Sequence, residues 1–488
     1  MESISEEERR SHRAALQRSL QRELADSLIR CAPLDDIRVL LACGAQVNEP
    51  VAQGLRPIHY AIYQQYQLAV ELLLVRGCQV DAMDDVGYTA LHLCAEKGFL
   101  ELAQLLISYG ARVCFTDVDT QGRTYYGNPP RHTMADEPFR IAIRNNHYEL
   151  AELLLKHGAN PNARYFLGSE INLISPLALS YLSLLLRYGA DPNSKDRTGL
   201  TPLMKACRHP QGYDAAELLV KFGADVNATA GERHDFRSVL HYAVLSSNLD
   251  TVKLVLSKGA RVNMGPDYRH PSPLDFAVLR GNIELIRLLL DWGAEVNTGS
   301  PIVGSPLHIA LSEHSENSKE IIQLLLSHGA DTNFITYTED DKPFLKPPIG
   351  EYFLSTDSFR GHVPREDIIR LLLKYGAKIV MTLQTQDKLG ILKTIPNVQE
   401  FPNIIDVVLE CCDHNWSPNV VRRSTVLKPD VRDALLERAV TPQTLRQQCR
   451  VRLRELLGGG GNPHKVIETV SKIDALPNYL KKYLLYEV

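Results

Sequence analysis

The chain has 488 residues, 44% of them hydrophobic, with 54 Lys and Arg against 58 Asp and Glu, a formal charge of −4. That length allows several domains or one long array, and that balance provides no global basic field for nucleic acid or an anionic lipid surface. No apolar run reaches the roughly 18–20 residues of a membrane span, the opening MESISEEERRSHR has no apolar signal core, and the nine Cys are scattered without a CxxC pair, so a reduced, intracellular, cytoplasmic protein is expected.

Residues 1–33 come first. Leu16, Leu20, Leu24 and Leu28 form an i+4 stripe on a charged helix. The expectation is a terminal cap covering the exposed end of the neighbouring segment; a partner-binding or self-associating coiled coil is the other reading.

From residue 34 to 380 one unit recurs. Its mark is a Gly after an apolar helical run, as in LISYGARV, LVKFGADVN, LLDWGAEVN and LLKYGAKIV. These glycines are Gly44, Gly77, Gly110, Gly158, Gly189, Gly223, Gly259, Gly293, Gly329 and Gly376, spaced by 33, 33, 48, 31, 34, 36, 34, 36 and 47. In AAELLVKFGADVN, Ala216, Leu218, Leu219 and Phe222 recur at helical spacing, and Gly223 ends the helix in a left-handed conformation. Upstream of each such helix lies a second signature: RPIHYAI, TALHLCA, TPLMKAC, SVLHYAV, SPLDFAV or SPLHIAL. Thr201 with Pro202, and Ser305 with Pro306, read as an N-cap followed by Pro in the first turn. Each unit is therefore a capped helix, a turn, a second helix and a Gly-ended turn. The units resemble ankyrin repeats, about ten of them, which implies a curved all-α solenoid with hairpin-like loops along one edge.

The array is uneven. The first unit shows mainly its second helix, and the fifth, ISPLALSYLSLLLRYGADPN, lacks residues between its helices. Two insertions, Thr116–Asp136 and Phe334–Arg365, are rich in turn formers and aromatics. They are either partner-contacting loops or tolerated surface insertions.

Signals for chemistry are weak. His59, His92, His241 and His308 recur at one fixed position of the unit, which argues for repeat structure, not catalysis. CCDHNW at Cys411–Trp416 has the wrong spacing for zinc and reads as a helix end. GGGG at Gly458–Gly461 follows a helix and precedes no GK[ST], so it reads as a flexible break. No cofactor, metal or catalytic set is expected, and the protein reads as a non-enzyme.

Residues 381–434 read as a helical linker. Residues 435–488 differ from the units before them. After Thr441 and Pro442 a helix is predicted with Leu445, Cys449 and Leu453 on one face and Arg446, Arg450, Arg452 and Arg454 on others. The stripe suits an ordinary core helix or a helix laid into a partner's groove. TLRQQCRVRL then resembles the elongin-binding pattern of a SOCS box. A second amphipathic helix comes next with Val466, Ile467, Val470 and Ile473, and the chain closes on LPNYLKKYLLYEV. The whole is similar to the ankyrin repeat and SOCS box family.

That resemblance implies a substrate adaptor of an E3 ubiquitin ligase. Leu445, Cys449 and Leu453 would meet elongin C, held with elongin B. Leu476, Pro477, Leu480 and Tyr483 would meet cullin-5 with its RING subunit. The repeats would hold an unknown protein substrate for ubiquitination and degradation, with no nucleic acid or membrane involved. The alternative is an ankyrin scaffold without a ligase role. Where the family's cullin element reads L-P-x-P, this chain has Asp474, Ala475, Leu476 and Pro477.

Overall fold

The computed structural model describes residues 6–115, 136–165, 167–265, 268, 270–300, 302–313, 317–337, 344–356, 362–385, 387–412, 418–441, 443–458 and 462–487. They are mostly helical, with one short antiparallel pair, Arg164–Tyr165 against Gly168–Ser169. The chain divides into two compact units, Met1–His234 and Asp235–Val488.

In the first unit a long helix, Glu6–Ile29, packs on Leu34–Ala42 and on Pro57–Tyr63. Leu24 and Leu28 are fully buried there, whereas Leu16 is 58% exposed, so only the later half of the leucine stripe covers the first turn of the array. The buried Gln21 amide donates to the Gln46 and Glu49 carbonyls (2.8 and 3.0 Å) and accepts from the Gln46 amide. Helix pairs come next at Pro57–Tyr63 with Gln67–Val75, Ala90–Lys97 with Leu100–Ser108, and Pro138–Arg144 with Tyr148–Lys156. Glu170–Leu173 with Leu179–Arg187, and Pro202–Arg208 with Tyr213–Lys221, complete the unit. The fifth repeat's first helix is a single turn, as its missing residues require.

In the second unit the pairs are Val239–Ser246 with Leu249–Ser257, Pro273–Leu279 with Ile283–Asp291, and Pro306–Ser312 with Ser318–Ser327. The tenth sequence unit supplies the last pair, Pro348–Leu354 with Glu366–Lys374. This corrects the reading of 334–365 as an insertion: its middle is the tenth repeat's own first helix, with Ile349, Tyr352 and Phe353 buried. The other insertion lies outside the described residues apart from Asp136. Residues 381–434 are likewise more than a linker. Ile395–Val398 packs on Pro348–Leu354, Pro402–Cys411 packs on Glu366–Lys374, and Pro429–Val440 packs on Pro402–Cys411, extending the stacking beyond that pair.

Local chemistry explains the repetition. Thr201 Oγ1 accepts from the Met204 amide (3.3 Å), and the Pro202 ring occupies the first turn, where no amide is needed. At His92, His241 and His308 the ring Nδ1 accepts from the N-cap amide (3.1, 3.0 and 3.2 Å), closing the start of the helix. That assigns the ring proton to Nε2, which in His241 and His308 donates to the Pro271 and Lys346 carbonyls of the next loop (3.2 and 3.1 Å). Burial pushes these three imidazoles down to about 4, so they stay neutral. All ten repeat-ending glycines have positive φ, from 81° to 109°.

An Asn shortly past several of these glycines ties repeats together. Asn193 donates to the Gly223 carbonyl (3.1 Å) and accepts from the Asp225 amide (2.7 Å). Asn162, Asn263, Asn297 and Asn333 make the same paired bonds at Gly189, Gly293, Gly329 and Gly376. Small side chains let first helices approach closely: Ala61, Ala95, Ala142, Ala243 and Ala277 are fully buried.

Candidate protein-docking site

The C-terminal residues form three helices, Leu445–Leu457, Pro463–Lys472 and Asn478–Leu484. The first is started by Thr444. Its Oγ1 accepts from the Gln447 amide (3.3 Å), and Gln447 Oε1 accepts from the Thr444 amide (3.0 Å). The start is thus not at Thr441, which caps the end of the preceding helix Pro429–Val440. A small core of Val466, Val470, Leu484 and Leu485, with Leu457, Ile467 and Leu476 against it, holds the three helices together.

At about 100° per residue, Leu445, Leu456, Cys449 and Leu453 lie within roughly an 80° arc. This face points to solvent: Leu445 is 76%, Leu456 64% and Leu453 44% exposed, and Cys449 is exposed. Leu456 is a member that the i, i+4, i+8 spacing misses, because it lies eleven residues, three turns, beyond Leu445. The ordinary core-helix reading therefore fails, since the apolar stripe is the outer face.

What is buried is basic. Arg450 is 2% exposed. Its guanidinium lies over the rings of Tyr483 and Tyr486 (4.6 and 4.2 Å to the centroids) and donates to Glu410 Oε1 (2.9 Å). Arg446 lies over Tyr483 (4.2 Å) and Arg454 over Tyr486 (4.9 Å). Arginines at i, i+4 and i+8 of one helix thus interleave with two tyrosines at i and i+3 of the closing segment. Arg454 also donates to two carbonyls, Leu484 O (2.7 Å) and Lys374 O (2.9 Å), each the last residue of its helix. A cation at these ends satisfies orphan carbonyls and opposes the negative end of the helix dipole. The sequence carries this signal in the even Arg spacing set against YLLY.

Of the residues assigned to cullin contact, Pro477 is exposed and opens the Asn478–Leu484 helix, and Leu480 is partly exposed. Leu476 packs on the small core. Tyr483 departs from its assignment: it is 7% exposed beneath Arg446 and Arg450 and offers no contact surface in this arrangement. Tyr479, 66% exposed, stands on the outer side of that helix instead.

Among the described residues no three His, Cys, Asp or Glu side chains gather as metal ligands. Cys411 ends the Pro402–Cys411 helix with its thiol pushed up to about 12 by burial, and residues 413–416 of the CCDHNW stretch lie outside the described residues. Gly458 closes the Leu445–Leu457 helix, and Gly459–Gly461 also lie outside them. No described helix is long and apolar enough to cross a membrane.

Comparison with known proteins matches this architecture. A family model of three ankyrin repeats matches residues 24–117 and 229–300, and the single ankyrin repeat matches 136–165, 198–230 and 305–337. Among curated proteins the chain is 28% identical over 238 residues to the "Putative palmitoyltransferase ZDHHC13" of Danio rerio, covering 49% of this chain and 30% of that protein. It is 27% identical over 235 residues to the human "Ankyrin repeat and SOCS box protein 6", covering 47% and 45%. It is 22% identical over 230 residues to the "E3 ubiquitin-protein ligase KEG" of Arabidopsis thaliana, covering 47% and 12%. In each, the match spans less than half of the relative's own length.

Proposed function

The chain is an ankyrin-repeat protein, and on that premise we propose that its helix pairs hold a protein substrate while its C-terminal helices dock elongin C. It is then the substrate-recognition subunit of an elongin B/C–cullin-5 RING E3 ubiquitin ligase. The observation that carries this reading is the solvent-facing row of Leu445, Cys449, Leu453 and Leu456 on a helix that buries Arg450 and half-buries Arg454 instead. A capping helix buries its apolar face; this one presents it. The row includes the Leu and Cys, four residues apart, of the elongin-binding pattern, and one relative is named for a SOCS box. Another is named as an E3 ubiquitin ligase. The chain's contribution is proximity and orientation of the substrate, not bond chemistry. Pro477, Leu480 and Tyr479 are the residues we assign to the cullin side.

Burying a Leu side chain is worth about 1.5–3 kcal/mol, and about 1.4 kcal/mol is a factor of ten in affinity. Leu445→Ala is therefore expected to weaken elongin B/C binding tenfold or more. Leu445→Ala with Cys449→Ala is expected to abolish co-purification while the helix pairs keep their circular dichroism and melting profile. Undiminished elongin recovery with the double variant would leave only the scaffold reading, in which the repeats bind partners without ligase function.

A further inference from the structure

We infer that the interleaved Arg446, Arg450, Arg454, Tyr483 and Tyr486 form a lock that fixes the C-terminal helices to the end of the helix-pair array, with Arg450 and Arg454 as the positioning residues that set where the Leu445–Leu456 stripe points. The inference rests on the proposed reading only for what the stripe is used for; the lock itself stands on geometry.

A single attachment would leave the C-terminal helices free to swivel. Two separate helix ends of the array are gripped instead. The end of Pro402–Cys411 is held at Glu410: its carboxylate takes Arg450 (2.9 Å), and its carbonyl accepts from Gln447 (3.3 Å) and Arg438 (3.4 Å). The end of Glu366–Lys374 is held at the Lys374 carbonyl by Arg454 (2.9 Å), and the Lys374 ammonium pairs with Glu487 (2.7 Å). The middle helix adds a third point. His464 meets Tyr375 edge-on at 5.2 Å, and Pro463 packs beside Gly376, where a Cβ would be in ordinary contact with its ring at 3.4 Å. All three C-terminal helices or their ends therefore touch residues 374–376 or 410.

The chemistry needs arginine at both positions. Arg450 is flat enough to slide between two rings and still donate to Glu410. Arg454 presents separate N–H groups to two carbonyls belonging to different elements. Lysine keeps the charge but has no planar face, and its three donors all sit on one nitrogen. The stripe and the arginines occupy neighbouring arcs of the same helix, so a helix held by its arginines cannot roll without moving the stripe.

The test uses the full chain with its cysteines untouched. Nitroxide labels on genetically encoded p-acetylphenylalanine at Gln323 and Ser471, both exposed, report the distance between the array and the C-terminal helices by double electron–electron resonance. The parent is expected to give one narrow distribution. Arg450→Lys with Arg454→Lys is expected to broaden it at least twofold while elongin B/C recovery falls less than threefold, because the stripe is unaltered. A variant distribution as narrow as the parent's, or a parent distribution already broad, overturns the lock. If the double variant loses amide protection across Leu445–Leu457, Arg454→Gln alone, which leaves Arg450 stacked, is judged by the same two distributions. A narrow parent and broad variant with no elongin binding in either would uphold the lock and remove the adaptor reading.

Discussion

Asp275 stands where His59, His92, His241 and His308 stand in other repeats, and it makes the same local bonds with opposite electrostatics. Its Oδ2 accepts from the Ser272 amide (2.7 Å) and hydroxyl (2.9 Å), as the imidazole Nδ1 does elsewhere. Burial pushes its carboxyl up to about 6, against an ordinary value near 3.9. Between those values the native state binds the proton and the unfolded state does not, so Asp275 adds stability as pH falls from about 6. His92, His241 and His308, held down to about 4, do the reverse. Their unfolded forms protonate below about 6.5, and the stability they contribute is present above that pH and lost toward 4. Asp275→Asn keeps an acceptor for Ser272 and removes the buried charge. It is expected to stabilise at pH 7.5 by up to about 3 kcal/mol, at roughly 1.4 kcal/mol per pH unit of displacement. The gain should shrink at pH 5. Urea unfolding at both pH values checks it; an equal gain at both means the charge was never the cost. Gly223 supplies a second residue-scale case. It has φ of 88°, and a Cβ there would meet nothing within 4 Å, so Gly223→Val is strained by backbone alone. A loss of about 1–3 kcal/mol is expected, with faster hydrogen exchange centred on the helix pairs adjoining Gly223; uniform protection would refute it. Such glycines and histidines are readable from sequence because each recurs in a fixed frame. The Asn bridges share that frame, but their partners lie 27 to 45 residues away, and only the fold brings them together.

At the scale of the element, the Leu445–Leu457 helix shows what periodicity alone decides. The i+4 pattern identifies an apolar face but not whether that face looks inward, because a core helix and a docking helix share one pattern. The burial of Arg450 resolves it. Leu456 is expected to belong to the docking face: Leu456→Ser should weaken elongin B/C about tenfold, as one lost Leu contact implies. Being 64% exposed in the free chain, it should leave thermal stability unchanged. Calorimetry against elongin B/C is the measurement, and parent-like affinity would end the stripe at Leu453. Elsewhere, the tenth repeat's first helix is hard to see in sequence because PPIGEYF carries neither the Ser/Thr cap nor the His of the recurring signature. The pairs within 381–434 are hidden for a related reason: IIDVVLECC has the apolar spacing of a second helix but no Gly–Ala ending.

At the scale of the whole molecule, the proposed cullin contact falls where the sequence departs from the SOCS-box resemblance. Asp474 replaces an apolar residue and Ala475 a Pro, and both are exposed in the free chain. A carboxylate facing an apolar partner must be desolvated or turned away, and either weakens binding. Elongin binding is therefore expected to be intact while cullin-5 binds more weakly than it does a member carrying the full L-P-x-P. Restoring both residues is not the way to recover it. Asp474 and Ala475 form the corner of a turn closed by the Leu476 amide donating to the Ile473 carbonyl (3.2 Å), so Ala475 is the third residue of that turn. A Pro there pushes the residue before it out of the helical region that a type I turn requires. Asp474→Leu alone is thus expected to strengthen cullin-5 binding, severalfold to tenfold for one added apolar contact. Adding Ala475→Pro should reverse that gain by opening the turn and shifting Leu476 off the small core it packs on. Calorimetry of the purified elongin B/C complex against the cullin-5 N-terminal domain separates these outcomes. Nanomolar affinity in the parent with no gain from Asp474→Leu would mean that cullin contacts another surface, and the exposed Tyr479 is then the next side chain to replace.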